Sequence, residues 1–186
     1  MHGIRPVFCY SDGFTATKFL IFQGKYNQTM EKHPNQVLIE TFYSSFQNKD
    51  YQGMQACYAD DATFSDEAFR NLNAAQVRAM WEMLIRNGKD LELEFRDISA
   101  NDTHGSTYWE ARYTLSLTGR KVLNKIKASF EFEGGKIKKH VDRFNFYSWA
   151  RQAFGLTGVL LGWTPFFKNK VSTTAMGNLA KFMQKR

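Results

Sequence analysis

Apolar residues at helical spacing predict two helices near the start of the regularly patterned part of the chain. Leu38, Phe42 and Phe46 fall four residues apart, so they share one helical face, and Asn35 precedes them as an N-cap. Asp50 stands in the position of an N-cap for a second, shorter helix. We expect this helix to carry Met54, Cys57 and Tyr58 and to end at Asp60-Asp61, ahead of a strand.

A short strand and a third helix follow. Ala62, Thr63 and Phe64 predict the strand. Residues 74–87 predict the helix, because apolar residues return every three or four positions, and the Asn87-Gly88 pair predicts a left-handed stop. The apolar face of this helix consists of Val77, Met80, Trp81, Leu84 and Ile85.

Beyond the third helix, apolar and polar residues alternate, which predicts four antiparallel strands. The strands cover residues 91–96, 109–117, 122–132 and 137 to about 146, with turns between them at Gly- and Asn-containing segments. The residues expected to face inward from the two middle strands are Trp109, Ala111, Tyr113, Leu115, Leu117, Val122, Ile126, Ala128, Phe130 and Phe132.

Two further helices, near residues 147–154 and 171–183, are predicted to close the chain. Helices first and a meandering sheet second predict an α+β fold, since a parallel doubly wound fold alternates the two. We divide the chain into a poorly ordered N-terminal extension (1–34), a domain (35–146) and a C-terminal helical extension with a basic tail (147–186).

The net charge of +7 is carried by the two ends of the chain. Residues 168–186 hold five basic and no acidic residues, residues 1–34 contribute +2, and residues 35–167 hold 16 of each kind. A nucleic-acid surface would be expected within the folded part, so no nucleic-acid partner is predicted. Binding of the basic tail to an anionic surface is the weaker alternative.

The sequence predicts no membrane span. Residues 153–167 are apolar, but glycines and Pro165 interrupt them, and they are shorter than the roughly 20 residues that a span needs. The apolar run at residues 19–22 is too short for a signal segment. Cys9 and Cys57 give neither a disulfide framework nor a metal-ligand spacing, and we expect a cytoplasmic location.

The last predicted strand carries ionisable residues among aromatic ones. His140, Asp142, Phe144 and Phe146 share one face by strand parity, and the phenylalanines favour that face as the inner one. An aspartate among aromatic rings is desolvated, which raises its pKa unless a partner compensates, as in many general acids and bases. The alternative is an ion pair of Asp142 with a basic residue such as Arg143 or Arg151.

Asp66 is a second candidate acid or base, because it follows the short strand near the expected pocket mouth. Its alternative role is to cap a turn. An aromatic share of 16% favours a pocket lined by Trp81, Trp109, Tyr113 and Phe144, although such rings also build ordinary cores. No phosphate-binding loop, nucleophile elbow or metal-binding motif occurs, so neither cofactor nor metal is predicted.

Several segments together resemble the nuclear transport factor 2-like superfamily and its SnoaL-like, polyketide cyclase-like members. They are residues 58–64 (YADDATF) followed by Asp66, residues 109–113 (WEARY), and residues 135–137 leading to His140 and Asp142. The resemblance covers about residues 35–146. It implies a cone-shaped, curved antiparallel sheet packed on N-terminal helices, the cystatin-like arrangement, with a C-terminal helical extension.

The resemblance also implies roles for two aspartates and shows which functional residues of related enzymes have no counterpart in this sequence. Asp66 matches the proton-shuttling base of the ketosteroid isomerases, and Asp142 matches a carboxylate that cyclases and epoxide hydrolases use. The isomerases' oxyanion donors would fall at Phe42 and Ala128, which cannot donate the hydrogen bond. The second Asp and the Arg of the hydrolase triad are absent too, since Lys125 and Lys127 occupy that region.

Two classes of function follow. The first is an isomerase, cyclase or hydrolase acting on a small hydrophobic molecule, with Asp66 or Asp142 as acid or base and His140 assisting. The second is a non-enzymatic ligand-binding or dimerisation module. The resemblance implies a homodimer through the outer face of the sheet, where Glu110, Arg112 and Thr114 lie.

Overall fold

The computed structural model describes residues 31–185, and residues 33–185 fall in one unit. The predicted extension 1–34 therefore lies almost wholly outside the described residues. The described helices and strands are α1 (Pro34–Gln47), α2 (Tyr51–Ala56), β1 (Tyr58–Ser65), α3 (Ala74–Asn87), β2 (Glu92–Ala100), β3 (His104–Leu115), β4 (Arg120–Glu133), β5 (Lys136–Phe144), α4 (Phe146–Phe154), α5 (Leu156–Leu161) and α6 (Pro165–Met183).

The strands form one sheet in the order β1-β5-β4-β3-β2. The predicted α+β class and cystatin-like fold are confirmed, with one refinement: β1 pairs with β5 in parallel, and the other pairs are antiparallel. β1 is also longer than the three residues predicted. Register shifts interrupt the β1–β5, β2–β3 and β4–β5 pairs, and such bulges bend strands, which accounts for the curvature of the sheet.

Helix α1 buries one face against the concave side of the sheet. Its cap is His33, whose Nδ1 accepts from the amide of Asn35, so the prediction of Asn35 as the cap is wrong. Pro34 at the first helical position explains the earlier start, because its missing N–H costs nothing there. The buried residues of the face are Asn35, Ile39, Phe42, Tyr43 and Phe46, and Leu38 is only half-buried.

The other two predicted N-terminal helices are present, with an error at the end of each. Helix α2 ends at Ala56, and Tyr58, which was predicted to belong to it, begins β1. Asp50 caps α2 by accepting from the amide of Gly53 at 3.0 Å. Helix α3 spans the predicted residues, and Asn73 and Gln76 form a capping box at its start. Gly88 ends α3 at φ −85°, so the predicted left-handed stop is wrong.

The core lies between the concave face of the sheet and helices α1 and α3. All five predicted inward residues of β4 are buried, as are Trp109 and Ala111 of β3, whereas Tyr113 and Leu115 are half-buried. Leu117 is 72% exposed, because β3 ends at Leu115 and Leu117 lies in the turn.

The C-terminal extension is more helical than predicted. β5 ends at Phe144, so Phe146 begins α4 and does not share the strand face of His140. Helix α5 was not predicted, and α6 starts at Pro165, six residues early. Leu179 of α6 is buried in the main core. Within residues 31–185, no helix is long and apolar enough to cross a membrane.

Candidate functional site

Strand β5 delivers two ionisable side chains to the interior. His140 is 0% and Asp142 is 3% exposed, so the predicted inner face of this strand is confirmed for both. Their backbone partners on β4 are Phe130 and Ala128, both buried, which places the pair in the middle of the curved sheet.

A continuous hydrogen-bonded chain runs through these two residues. Tyr58 Oη lies 2.6 Å from His140 Nδ1, and His140 Nε2 lies 3.0 Å from Asp142 Oδ1. Two indole N–H groups close the ends: Trp81 donates to Tyr58 Oη at 3.0 Å, and Trp109 donates to Asp142 Oδ1 at 3.3 Å. Asp142 is thus held by His140 and Trp109, and not by the arginines considered from the sequence.

The chain of bonds fixes where its protons lie. Burial, partly offset by the Trp81 hydrogen bond, raises the pKa of Tyr58 well above its ordinary value, so the hydroxyl stays protonated. Since that oxygen accepts from Trp81, its proton is available to His140 Nδ1. The hydrogen bonds therefore fit an imidazole that accepts from Tyr58 at Nδ1 and donates from Nε2 to Asp142, which satisfies every donor.

Aromatic rings enclose the imidazole of His140. Five ring centroids lie between 4.4 and 6.1 Å from its own. Because His140 is 0% exposed, it can act on a ligand only through its neighbours, by orienting Asp142. The enclosing residues are Phe42, Tyr58, Phe64, Trp81 and Phe130.

Asp66 stands directly after the end of β1 and is half-buried. Its Oδ1 accepts from the amides of Ala68 at 2.7 Å and Phe69 at 2.5 Å, so it does cap a turn. Burial nevertheless raises the pKa of Asp66 to about 7, against the lowering effect of those two bonds. Its second oxygen has no hydrogen-bond partner among the described residues.

Asp66, Asp142 and Tyr113 influence one another electrostatically. The charge of Asp142 contributes to the raised pKa of Asp66. The charge of Asp66 contributes, after burial, to the raised pKa of Tyr113, whose hydroxyl accepts from Trp149 Nε1 at 2.9 Å. Phe144 is half-buried and packs on Trp149 at 6.2 Å between ring centroids. The charge of Asp142 thus acts on Asp66, and the charge of Asp66 acts on Tyr113, which is bonded to Trp149.

Tyr43 places an unpaired hydroxyl in the interior. Its side chain is 0% exposed, and its Oη has no hydrogen-bond partner among the described residues. Burial, and after it the charge of Asp142, raises the pKa of Tyr43 well above its ordinary value. The Tyr43 hydroxyl is thus a buried donor without an acceptor among the described residues. Leaving such a group unpaired costs about 1–3 kcal/mol.

Two surface clefts are present, and neither touches the candidate residues Asp66, His140 or Asp142. One, of about 290 Å³, runs along α1 between Val37 and Asp50. The other, of about 590 Å³, is lined by residues of α2, β1 and α3 and by Lys136. A pocket lined by Trp81, Trp109, Tyr113 and Phe144 therefore stays a prediction. No cluster of potential metal ligands occurs among residues 31–185.

Sequence reasoning missed Tyr58 and Tyr43. Tyr58 was assigned to the second helix and given no role in the site. Its bond to His140, 82 residues away in sequence, depends on the parallel pairing of β1 with β5. Tyr43 adjoins Phe42 on α1, and its burial depends on the wider helix face. A helical period that included Ile39 and Tyr43 would have revealed the second residue, but no local signal reveals the first.

These features define a class: an α+β fold with a curved sheet, in which the last strand carries Asp142 and the first strand leads directly to Asp66. The model of the SnoaL-like domain family matches residues 39–140, more than half of the chain, and the chain belongs to this family. A search of curated proteins found no match to the sequence.

Solved structures share the fold at low sequence identity. An LEH-like epoxide hydrolase of M. tuberculosis is 18% identical over 69% of this chain and 96% of its own, with a TM-score of 0.56. A putative polyketide cyclase of Xanthomonas campestris pv. campestris is 20% identical over 64% and 96%, with a TM-score of 0.55. An NTF2-like protein of unknown function from Burkholderia pseudomallei is 17% identical over 67% and 100%, with a TM-score of 0.59.

Proposed function

We propose that the protein is an enzyme that uses Asp66 as a general acid or base on a small hydrophobic molecule. The observation that supports this proposal is the bonding of the Asp66 carboxyl: two backbone amides fix one oxygen, and the other has no hydrogen-bond partner among residues 31–185. A fixed carboxyl with an open oxygen can exchange a proton with a ligand. A pKa of about 7 suits this task near neutral pH, because both protonation states are then populated.

Asp142 would serve as the second carboxylate. Its hydrogen bonds from His140 and Trp109 hold it in one orientation. Two nearby carboxyls in different surroundings can divide the roles of acid and base between them. In this arrangement His140 is a positioning residue, since its ring is enclosed and contacts Asp142 through Nε2.

Tyr43 would donate to an oxygen of the bound molecule. Phe42 holds the place where the resemblance puts the isomerases' oxyanion donor, but the neighbouring Tyr43 supplies a buried, unpaired hydroxyl. Such a donor gains a full hydrogen bond when a carbonyl or an epoxide oxygen reaches it. The expected substrates are therefore aromatic or alicyclic molecules with one polar oxygen.

Two probe reactions test the proposal: hydrolysis of an aromatic epoxide, and deuterium exchange at the carbon beside the carbonyl of an enolisable aromatic ketone. Asp66→Asn should slow the reaction that the wild type performs by at least about 100-fold, the usual contribution of general acid–base catalysis. Asp60→Asn is the matched control, because Asp60 lies on β1, the strand that leads to Asp66, but is exposed. Thermal unfolding of each variant shows that it remains folded.

The competing candidate is a binding module without catalysis, which the enclosed and fully bonded surroundings of His140 favour. A wild type that binds both probes, detected by quenching of tryptophan fluorescence, but converts neither would support it. A wild type whose turnover survives both Asp66→Asn and Asp142→Asn would refute acid–base catalysis by these residues.

The predicted homodimer through the sheet is a separate proposal. The outer face carries ion pairs of Arg112 with Glu94 at 3.0 Å and with Glu110 at 3.7 Å, and Thr114 bonds Asp90. Polar faces of this kind can pair with their own copy when opposite charges match across a two-fold axis. Sedimentation of the wild type and of Arg112→Glu tests it, and an unchanged dimer in the variant would move the interface elsewhere.

A further inference from the structure

Six large apolar side chains lie exposed within eleven consecutive residues of the C-terminal extension. They belong to α5 and to the start of α6, and their exposed fractions run from 42% to 81%. Single exposed apolar residues are common, but a concentration of them marks an interaction surface. This surface, called the apolar patch below, consists of Leu156, Val159, Leu160, Leu161, Trp163 and Phe166.

The backbone carbonyls at the end of α5 have hydrogen-bond partners within the protein. The last four carbonyls of a helix lack helical partners and commonly bond solvent. Here Gly158 keeps its helical bond from Gly162, and the three carbonyls after it each accept a hydrogen bond from elsewhere in the protein, at 3.2 Å or less. The bonds run from Gly162 N to Gly158 O, from Tyr147 Oη to Val159 O, from Trp163 Nε1 to Leu160 O, and from both Thr164 N and Thr164 Oγ1 to Leu161 O.

This arrangement lowers the cost of moving the patch out of water. A carbonyl without a partner costs several kcal/mol in an apolar medium, which is why backbone groups are satisfied internally in membranes. The bond from Trp163 Nε1 also satisfies the one polar atom of the most prominent ring of the patch. The apolar patch can therefore enter a low-dielectric medium with its helix end intact.

The stretch of sequence that carries the patch has only positive charges, of which Lys168 pairs with Glu67. The sequence has no acidic residue after Asp142, while residues 143–186 contain seven basic residues, equal to the whole net charge of +7. Arg151 of α4 and Lys170 of α6 are exposed on the elements that adjoin the patch. A second copy of the chain would bring these like charges together, whereas an anionic surface would neutralise them.

We propose that the apolar patch inserts into the interface of an anionic lipid membrane, with the basic residues around it contacting lipid phosphates. Trp, Phe and Leu flanked by Lys and Arg are the composition of interfacial anchors. Since no described helix can span a bilayer, the attachment is peripheral and reversible. It does not depend on the acid–base function proposed above.

Sedimentation of the full chain with vesicles tests the proposal, using phosphatidylcholine alone or mixed with phosphatidylglycerol. The protein should bind the mixed vesicles and dissociate at high salt. Trp163 is exposed while Trp81, Trp109 and Trp149 are buried, so binding should shift the fluorescence emission to shorter wavelength. Trp163→Phe should bind nearly as well but lose that shift.

Two variants separate the apolar contribution from the charged one. Leu160→Glu should weaken binding more than about tenfold, because a buried leucine is worth roughly 1.5–3 kcal/mol. The matched control is Val37→Glu on α1, which adds the same charge at another exposed apolar position and should weaken binding far less. Replacing Arg151 and Lys170 by glutamine should cost about fivefold for each charge.

The proposal is overturned if the wild type does not bind the mixed vesicles, or if Leu160→Glu and Val37→Glu bind them equally. It is also overturned if the wild type sediments as a dimer without lipid, Leu160→Glu is monomeric, and vesicles do not compete with the dimer. In that case a second copy covers the apolar patch.

Discussion

Replacing Asp66 with asparagine should make the folded protein more stable at alkaline pH. Asparagine has nearly the same shape, and its Oδ1 can still accept from the amides of Ala68 and Phe69. The substitution removes only the ability to become charged. The folded state holds Asp66 where burial disfavours its charge, so losing that charge should relieve a cost.

The sign of the pH dependence follows from the direction of the pKa shift. The pKa of Asp66 is about 7 in the folded state and near its ordinary 3.8 in the unfolded state. Between these values the folded state binds more protons, so this group lowers stability as the pH rises, and the loss is complete above about pH 7. The full loss of stability is about 4 kcal/mol, because the two pKa values differ by about 3 units and each unit is worth about 1.36 kcal/mol.

Urea denaturation at about pH 5 and about pH 8 measures the effect, and the linkage relation gives expected advantages for Asp66→Asn of about 2 and about 4 kcal/mol. Groups common to both proteins cancel in the comparison. Asp60→Asn serves as the control, because Asp60 is exposed and its loss should change stability little at either pH. A constant advantage for Asp66→Asn, or an advantage that shrinks towards pH 8, would refute the assignment of a raised pKa.

Two substitutions of buried tyrosines should have opposite effects on the free energy of unfolding, measured by urea denaturation against Tyr108→Phe as an exposed control. Tyr58→Phe should lower it by about 2–4 kcal/mol, since His140 Nδ1 and Trp81 Nε1 both lose their partner. Tyr43→Phe should leave the free energy of unfolding unchanged or raise it by about 1 kcal/mol, because the lost hydroxyl has no partner among the described residues. A marked loss of stability would show that this hydroxyl is bonded in the folded protein.

The local pattern of apolar and polar residues was sufficient to predict an element and its inner face wherever one face is buried and the other is exposed. The alternation along β5 identified His140 and Asp142 as inward-facing, and the period of α3 gave its bounds. Both depend on residues close in sequence. Phe146 was wrongly assigned to the inner face of β5, and the cause is local too. Asn145 caps α4, so the strand ends before Phe146 and its alternation does not extend to that residue.

Contacts between distant strands could not be predicted in the same way. The bond from Tyr58 to His140 needs the parallel register of β1 on β5, which no neighbouring residue encodes. The raised pKa of Asp66 is likewise a sum over many atoms that bury it. The sequence identified Asp66 and Asp142 as candidates. Only the fold shows that the charge of Asp142 contributes to the raised pKa of Asp66, and the charge of Asp66 to that of Tyr113.

The C-terminal extension is part of the same structure as the candidate site. Lys168 pairs with Glu67, and Arg70 donates to Asn169 at 3.0 Å, so α6 holds the loop that follows β1 and begins with Asp66. These contacts lie within a few residues of Phe166 in the apolar patch. Because hydrophobic molecules partition into lipid, a membrane contact on this side would bring substrate supply and acid–base chemistry to one end of the molecule.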